Sequence, residues 1–132
     1  MSADFTSREV RAPAPDIHRL PDIQSLRVVR VRFRTPVEYA SGADRRETDE
    51  AIEFQVATSE DFPIRALAPA LSVGDVAVTE GRQVDERQYR FVAYGRPPLT
   101  EDAPASVAWV GSGVPQLKPT GYRFHVEGEE ER

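Results

Sequence analysis

The chain has 132 residues, a formal net charge of -5, and 39% apolar against 30% charged residues. That is one domain, long enough to bury a core, with the composition of a soluble globular protein. No window approaches eighteen consecutive apolar residues, which excludes a membrane-spanning helix, and no cysteine is present, which excludes disulfides, thiolate nucleophiles and cysteine metal sites. Sixteen of the seventeen basic residues are arginine and asparagine is absent, a bias that codon usage in a GC-rich genome explains.

Residues 1–24 carry prolines at 13, 15 and 21 and no sustained hydrophobic period. They read as an extended, proline-rich arm with a polyproline-like centre. Its start, MSADFTSREV, lacks the basic and apolar regions of a secretion signal. Synthesis in the cytoplasm without a signal peptide is expected, and residence in a virion or another particle is compatible with that. Isolated apolar residues stud the arm, and Phe5, Val10, Ile17 and Leu20 are the candidate anchors on a partner.

From residue 25 the period becomes two, and residues 25–127 read as a β-sandwich domain. In SLRVVRVRFRT, Val29, Val31 and Phe33 alternate with Arg30, Arg32 and Arg34. Leu26 and Val28 are out of phase with that set, which asks for a bulge or for a strand covered on both faces. Pro36 ends the ladder, and 38–50 reads as a polar loop or hairpin tip. Residues 51–57 alternate again. Folding about Gly42–Ala43 sets Val29 against Val56, Val31 against Phe54 and Phe33 against Ile52. It also sets Arg32 against Glu53 and Arg30 against Gln55. The arginines then form a solvated, charge-balanced sheet face, not a nucleic-acid surface, since the domain is acidic and no aromatics interleave with them.

Prolines 63 and 69 argue against a helix in IRALAPALSVG, which reads as an edge strand or crossover ending at Gly74-Asp75. Val76–Val78 form a short strand, a loop follows, and QYRFVAY, 88–94, is a strand with Tyr89, Phe91 and Ala93 on one face. GRPPLTEDAPA, 95–105, is a long connection with one helical turn at Leu99–Asp102. SVAWVG is a strand whose lone Trp109 plugs the core. SGVPQLKPTG is a loop. YRFHVEG is a last strand with Tyr122, Phe124 and Val126 inward, and 128–132 is a frayed acidic tail. About seven short strands at this spacing predict an all-β, antiparallel, immunoglobulin-like β-sandwich, with a small barrel second.

No constellation carries chemistry. His18 and His125 have no partners at metal-ligand spacing, no G-x-S-x-G or phosphate loop occurs, and the acidic residues at 44, 47 and 49 lack a calcium-loop pattern. Glu101–Asp102 is a carboxylate pair of unknown separation. The expectation is a non-enzymatic structural or accessory subunit of a larger assembly, such as a phage or capsid decoration protein or a contractile-apparatus component. Its partners are other protein subunits, a second copy among them, with no nucleic acid, membrane insertion, metal or cofactor. The alternative is a monomeric glycan- or ligand-binding sandwich, for which Tyr39, Tyr94 and Trp109 are a candidate aromatic row. A hydrolase with an unrecognised site comes third.

Overall fold

Alternation of apolar and polar residues gives strands a period of two, and this chain spends most of its length in that period. A computed structural model describes residues 21–61, 69–111 and 114–132, with the backbone alone at 109–111 and 114–116. The described residues form nine strands. They are β1 (Ile23–Ser41), β2 (Asp44–Thr58), β3 (Ala70–Val73), β4 (Val76–Val78), β5 (Gly81–Asp85), β6 (Gln88–Tyr94), β7 (Pro104–Gly111), β8 (Val114–Arg123) and β9 (Gly128–Glu131). They build two sheets, in the orders β5-β6-β2-β1-β9 and β4-β3-β7-β8. The molecule is all-β, as the alternation predicts. One pair departs from the antiparallel rule: β9 runs parallel to β1.

A single core lies between the sheets. Leu26, Val28, Ile52, Phe54, Val56, Tyr89 and Phe91 of one meet Leu71, Val73, Val78, Ala105 and Val107 of the other, with Phe124 closing one end. The predicted burial of Phe54, Phe91 and Phe124 agrees with this. Trp109 falls among the residues whose side chains are not described, and the arm anchors Phe5, Val10, Ile17 and Leu20 also lie outside the described residues.

The β1–β2 register differs from the expected one for a local reason. The turn at Gly42–Ala43 is as predicted: Ser41 faces Asp44, and Gly42 takes the left-handed φ of 65° that a two-residue hairpin turn asks of its first central residue. That register holds back to Val37, opposite Thr48. There β1 bulges. The next pair is Arg32 with Glu50, so four residues of β1 (33–36) stand against one of β2. Pro36 sits in the bulge, where its missing N–H is not needed. The three-residue excess is odd, and an odd slip exchanges the faces of a strand. Val28, not Val31, faces Phe54; Val29 faces Glu53; Arg30 faces Ile52 and Arg32 faces Glu50.

Leu26, Val28, Val29 and Val31 are nevertheless all buried, with Phe33 half-buried. The start of β1 is thus covered on both faces, the second of the two arrangements that its out-of-phase leucine and valine allow.

Five further segments differ. Residues 114–121, part of the expected loop, belong to β8; its prolines 115 and 119 are tolerated because β8 is an edge strand. β5 also replaces an expected loop. The helical turn expected at Leu99–Asp102 is a non-helical turn, with Asp102 at a φ of 71° and the Ala103 N–H donating to the Thr100 carbonyl at 3.1 Å. Phe124 and Val126 pack on the core from an irregular segment, whereas Tyr122 points outward and donates its hydroxyl to the Gln24 carbonyl at 3.0 Å. The acidic end, expected to fray, is β9.

Candidate functional site

Four arginines of β1 meet carboxylates, but not those the simple hairpin suggests. Arg27 lies 3.7 Å from Glu130, Arg32 3.7 Å from Glu129, and Arg34 3.1 Å from Glu131, all on β9. Arg30 lies 3.5 Å from Glu50 on β2. The charge balance of the ladder therefore comes mainly from the acidic segment at 128–132. In a parallel pair the side chains of facing residues share a side, so GEEE lays its glutamates along the arginines of β1. The sequence signal was present: two charge runs of opposite sign and matching length.

Two buried carboxylates anchor this system. Glu53 accepts from both terminal nitrogens of Arg132, at 2.6 and 2.9 Å, and from the Gln55 amide at 3.0 Å. Arg132 reaches it from the end of β9 by crossing β1. Burial pushes the Glu53 carboxyl up, but the hydrogen bonds of Arg132 and Gln55 and the charges of Arg132 and Arg90 outweigh it, so the group titrates below the usual carboxylate range. The Arg132 guanidinium is held correspondingly firmly in its charged form, first by the Glu53 hydrogen bond.

Glu50, on the inner side, accepts from the Arg96 Nε at 3.0 Å. That hydrogen bond, opposed by burial and aided by the charges of Arg96, Arg32 and Arg30, lowers its titration as well. Around it lies an open cleft of about 510 Å³, between the β1–β2 inner face and the segments 95–101 and 124–126. Its rim is Arg30, Arg32 and Arg96, and its apolar floor is Ile52, Leu99 and Phe124. Size alone would admit a small ligand. Its central carboxylate already engages the guanidinium groups.

The second cluster joins residues that the sequence left apart. His125 Nδ1 lies 2.6 Å from Glu101 Oε1 and its Nε2 3.2 Å from Asp102 Oδ1. The backbone makes this pairing, because Phe124 exchanges bonds with the turn on both sides: its N–H donates to the Ala103 carbonyl at 2.8 Å and its carbonyl accepts from the Asp102 N–H at 3.0 Å. The Glu101 hydrogen bond, with the charges of both carboxylates, raises the His125 titration. The ring is exposed, and each nitrogen faces a carboxylate. Among the described residues no group of three or more histidine, cysteine, aspartate or glutamate side chains is arranged to hold a metal ion.

The third feature is the far half of the β1–β2 hairpin. β9 pairs with β1 only at Val29–Arg32, and β6 pairs with β2 only at Ala51–Ala57. Among the described residues Val37–Ser41 and Asp44–Thr48 therefore pair with each other alone. This ribbon leaves the sheet at the Pro36 bulge with exposed Glu38, Arg45 and Glu47. Its root is held by stacked rings: Tyr39 on Tyr94 at 5.6 Å and Tyr94 on Phe33 at 6.4 Å. Two of the three candidate row aromatics, Tyr39 and Tyr94, thus do share a surface, packed on each other.

Among the described residues no helix is long and apolar enough to cross a membrane. Comparison with known protein families, with curated proteins and with solved structures finds no match.

Proposed function

We propose that this protein is a non-enzymatic subunit of a protein assembly, an immunoglobulin-like sandwich that contacts a second copy of itself through the β1–β2 ribbon. The single observation behind this reading is the ribbon, in which, among the described residues, ten residues pair only among themselves beyond the last hydrogen bond to the sheet. A lone two-stranded ribbon is marginal in water, and each of its outer edges offers unpaired N–H and C=O groups. Such an edge is stabilised when another strand adds to it. A second copy suits the charges. Glu38, Glu47 and Arg45 share one face of the ribbon, where Arg45 pairs with Glu38 at 3.2 Å, and two ribbons related by a twofold axis can exchange these partners.

The immunoglobulin-like part of the reading rests on strand order. With β1 to β8 taken in turn, β5-β6-β2-β1 faces β4-β3-β7-β8, the order of a Greek-key sandwich of that type, and β9 is an addition beside β1. A virion or contractile particle is one setting for such a subunit, and the anchors Phe5, Val10, Ile17 and Leu20 would then bind a neighbour. Replacing residues 38–47 by a two-residue glycine turn tests the ribbon. Sedimentation should show a self-associating full chain and a monomeric shortened one with an unchanged circular dichroism spectrum. Equal association of both would remove the ribbon from the interface.

A further inference from the structure

Directly opposed residues of a sheet share a face, so the register places side chains in rows across the strands. Arg27 lies opposite Gln55, Gln55 opposite Arg90, and Arg90 opposite Arg82. Three arginines and a glutamine therefore stand in one line across β1, β2, β6 and β5, on the face turned away from the core. The adjacent row is Ser25, Ala57, Gln88 and, across a bulge on β5, Asp85, whose carboxylate accepts from the Arg87 N–H at 2.9 Å. The small side chain of Ala57 leaves a depression between the larger ones, a groove of about 180 Å³ lined by donors from Ser25, Arg27, Gln55, Gln88 and Arg90.

This row is balanced only at long range: Arg27 and Arg90 have ion-pair partners at 3.7 and 3.9 Å, and Arg82 has none among the described residues. Among the described residues the groove lining holds no carboxylate, in a chain with 22 acidic residues. The nearest carboxylates are engaged elsewhere. Arg132 takes both oxygens of Glu53 and one of Glu130, at 2.6, 2.9 and 2.7 Å. That leaves Glu53 at 3.9 Å from Arg90 and Glu130 at 3.7 Å from Arg27, too far for hydrogen bonds. Among the described residues Arg82 makes no ion pair or side-chain hydrogen bond, and Glu80, two positions before it, does not reach it. Arg82 also faces Arg90, and like charges set directly opposite each other destabilise a sheet. A purely structural row would gain from an acid at 82. The arrangement is unfavourable by itself and favourable around an anion.

We propose that this groove binds the tetrahedral oxyanion of a phosphate or sulfate, free or carried on an ester. Guanidinium forks match such oxygens in pairs, and the volume accommodates one group, not a polymer track. The site lies on the opposite side of the sheet from the Glu50 cleft and makes no use of the ribbon, so its failure would leave the assembly reading untouched.

The test is a titration of the ¹⁵N-labelled full chain with inorganic phosphate, sulfate, phenyl phosphate and, at matched ionic strength, acetate and chloride. The Arg27, Arg82 and Arg90 Nε–H resonances should shift saturably with a tetrahedral anion at millimolar concentration or below, and not with acetate or chloride. Saturation by inorganic phosphate or sulfate alone assigns the site to the free ion; saturation by phenyl phosphate assigns it to an ester. Arg82→Gln, an exposed change that leaves the fold intact, should weaken binding at least fivefold, and Arg90→Gln should do the same. Non-saturating shifts, equal shifts with acetate or chloride, or an unchanged affinity in Arg82→Gln would each overturn the proposal.

Discussion

Removing the Arg132 side chain should destabilise the fold through a residue 79 positions away in sequence. Glu53 is almost wholly buried on the outer face of the sheet, and its two short hydrogen bonds to Arg132 are what keep it charged there. Arg132→Ala leaves that carboxylate with the Gln55 amide at 3.0 Å and Arg90 at 3.9 Å. Breaking a fully buried pair costs about 3–5 kcal/mol. Arg132 keeps about a third of its side-chain exposure, and the remaining partners hold part of the charge. Roughly half the full penalty is therefore expected, about 1.5–3 kcal/mol. In urea that moves the midpoint down by on the order of 1 M for a domain of this size.

The sign of the pH dependence follows from the lowered Glu53 titration. Its contribution is present above the ordinary carboxylate value and is lost as pH falls through the lower folded-state value. The gap between native and Arg132→Ala should thus be full near neutrality and close in acid. Glu53→Gln in the Arg132→Ala background should recover stability, since a neutral amide needs no counter-charge. A native-like urea midpoint for Arg132→Ala at pH 7 would refute the reasoning.

Gly81 is packed where a methyl cannot fit: an added Cβ would sit 2.6 Å from Tyr89 Cε1 and 2.9 Å from Phe91 Cδ1. Gly81→Ala should cost about 1–3 kcal/mol by overpacking, read by thermal unfolding, and an unchanged melting temperature would contradict the β5–β6 packing. Arg32→Ala should cost under about 1 kcal/mol, because its partner Glu129 is exposed and 3.7 Å distant; a larger loss in the same denaturation assay would mean that the ladder holds β9 more firmly than its geometry implies. His125 should titrate above the ordinary histidine value by NMR, so its bonds to Glu101 and Asp102 favour the fold below that ordinary value and weaken as pH rises through the raised one. Glu101→Gln should bring the midpoint down, and a midpoint that stays in place would remove Glu101 as the cause.

The alternation of Tyr89–Phe91–Ala93 and Ile52–Phe54–Val56 made the sheet and its inward residues legible, because burial on one face leaves a period of two. The Gly42–Ala43 turn was legible for a similar reason, a glycine where a left-handed residue is required. The β1–β2 register was not, although the turn was correct. The bulge that shifts it is a three-dimensional compromise around Pro36, and nothing in residues 33–36 fixes how many of them leave the ladder. β9 was missed because charge repeats resemble a solvated tail; its glutamates become a strand only beside the arginines of β1, about a hundred residues away. Prolines 115 and 119 disguised β8, since proline argues against a strand unless the strand lies at an edge. The union of His125 with Glu101 and Asp102, and the row of Arg82, Arg90 and Arg27, depend on backbone pairings between distant segments that no local spacing encodes.

Amide hydrogen exchange across residues 37–48, followed as protein concentration rises, tests the assembly reading most directly. The outward N–H groups of the ribbon have no partner strand within the described chain, whereas those of β2 and β6 around Phe54 and Phe91 are paired within the sheet. The account predicts that ribbon amides gain protection with concentration while the core amides stay constant. Ribbon exchange that remains fast and unchanged across concentrations at which the chain is found associated would contradict it.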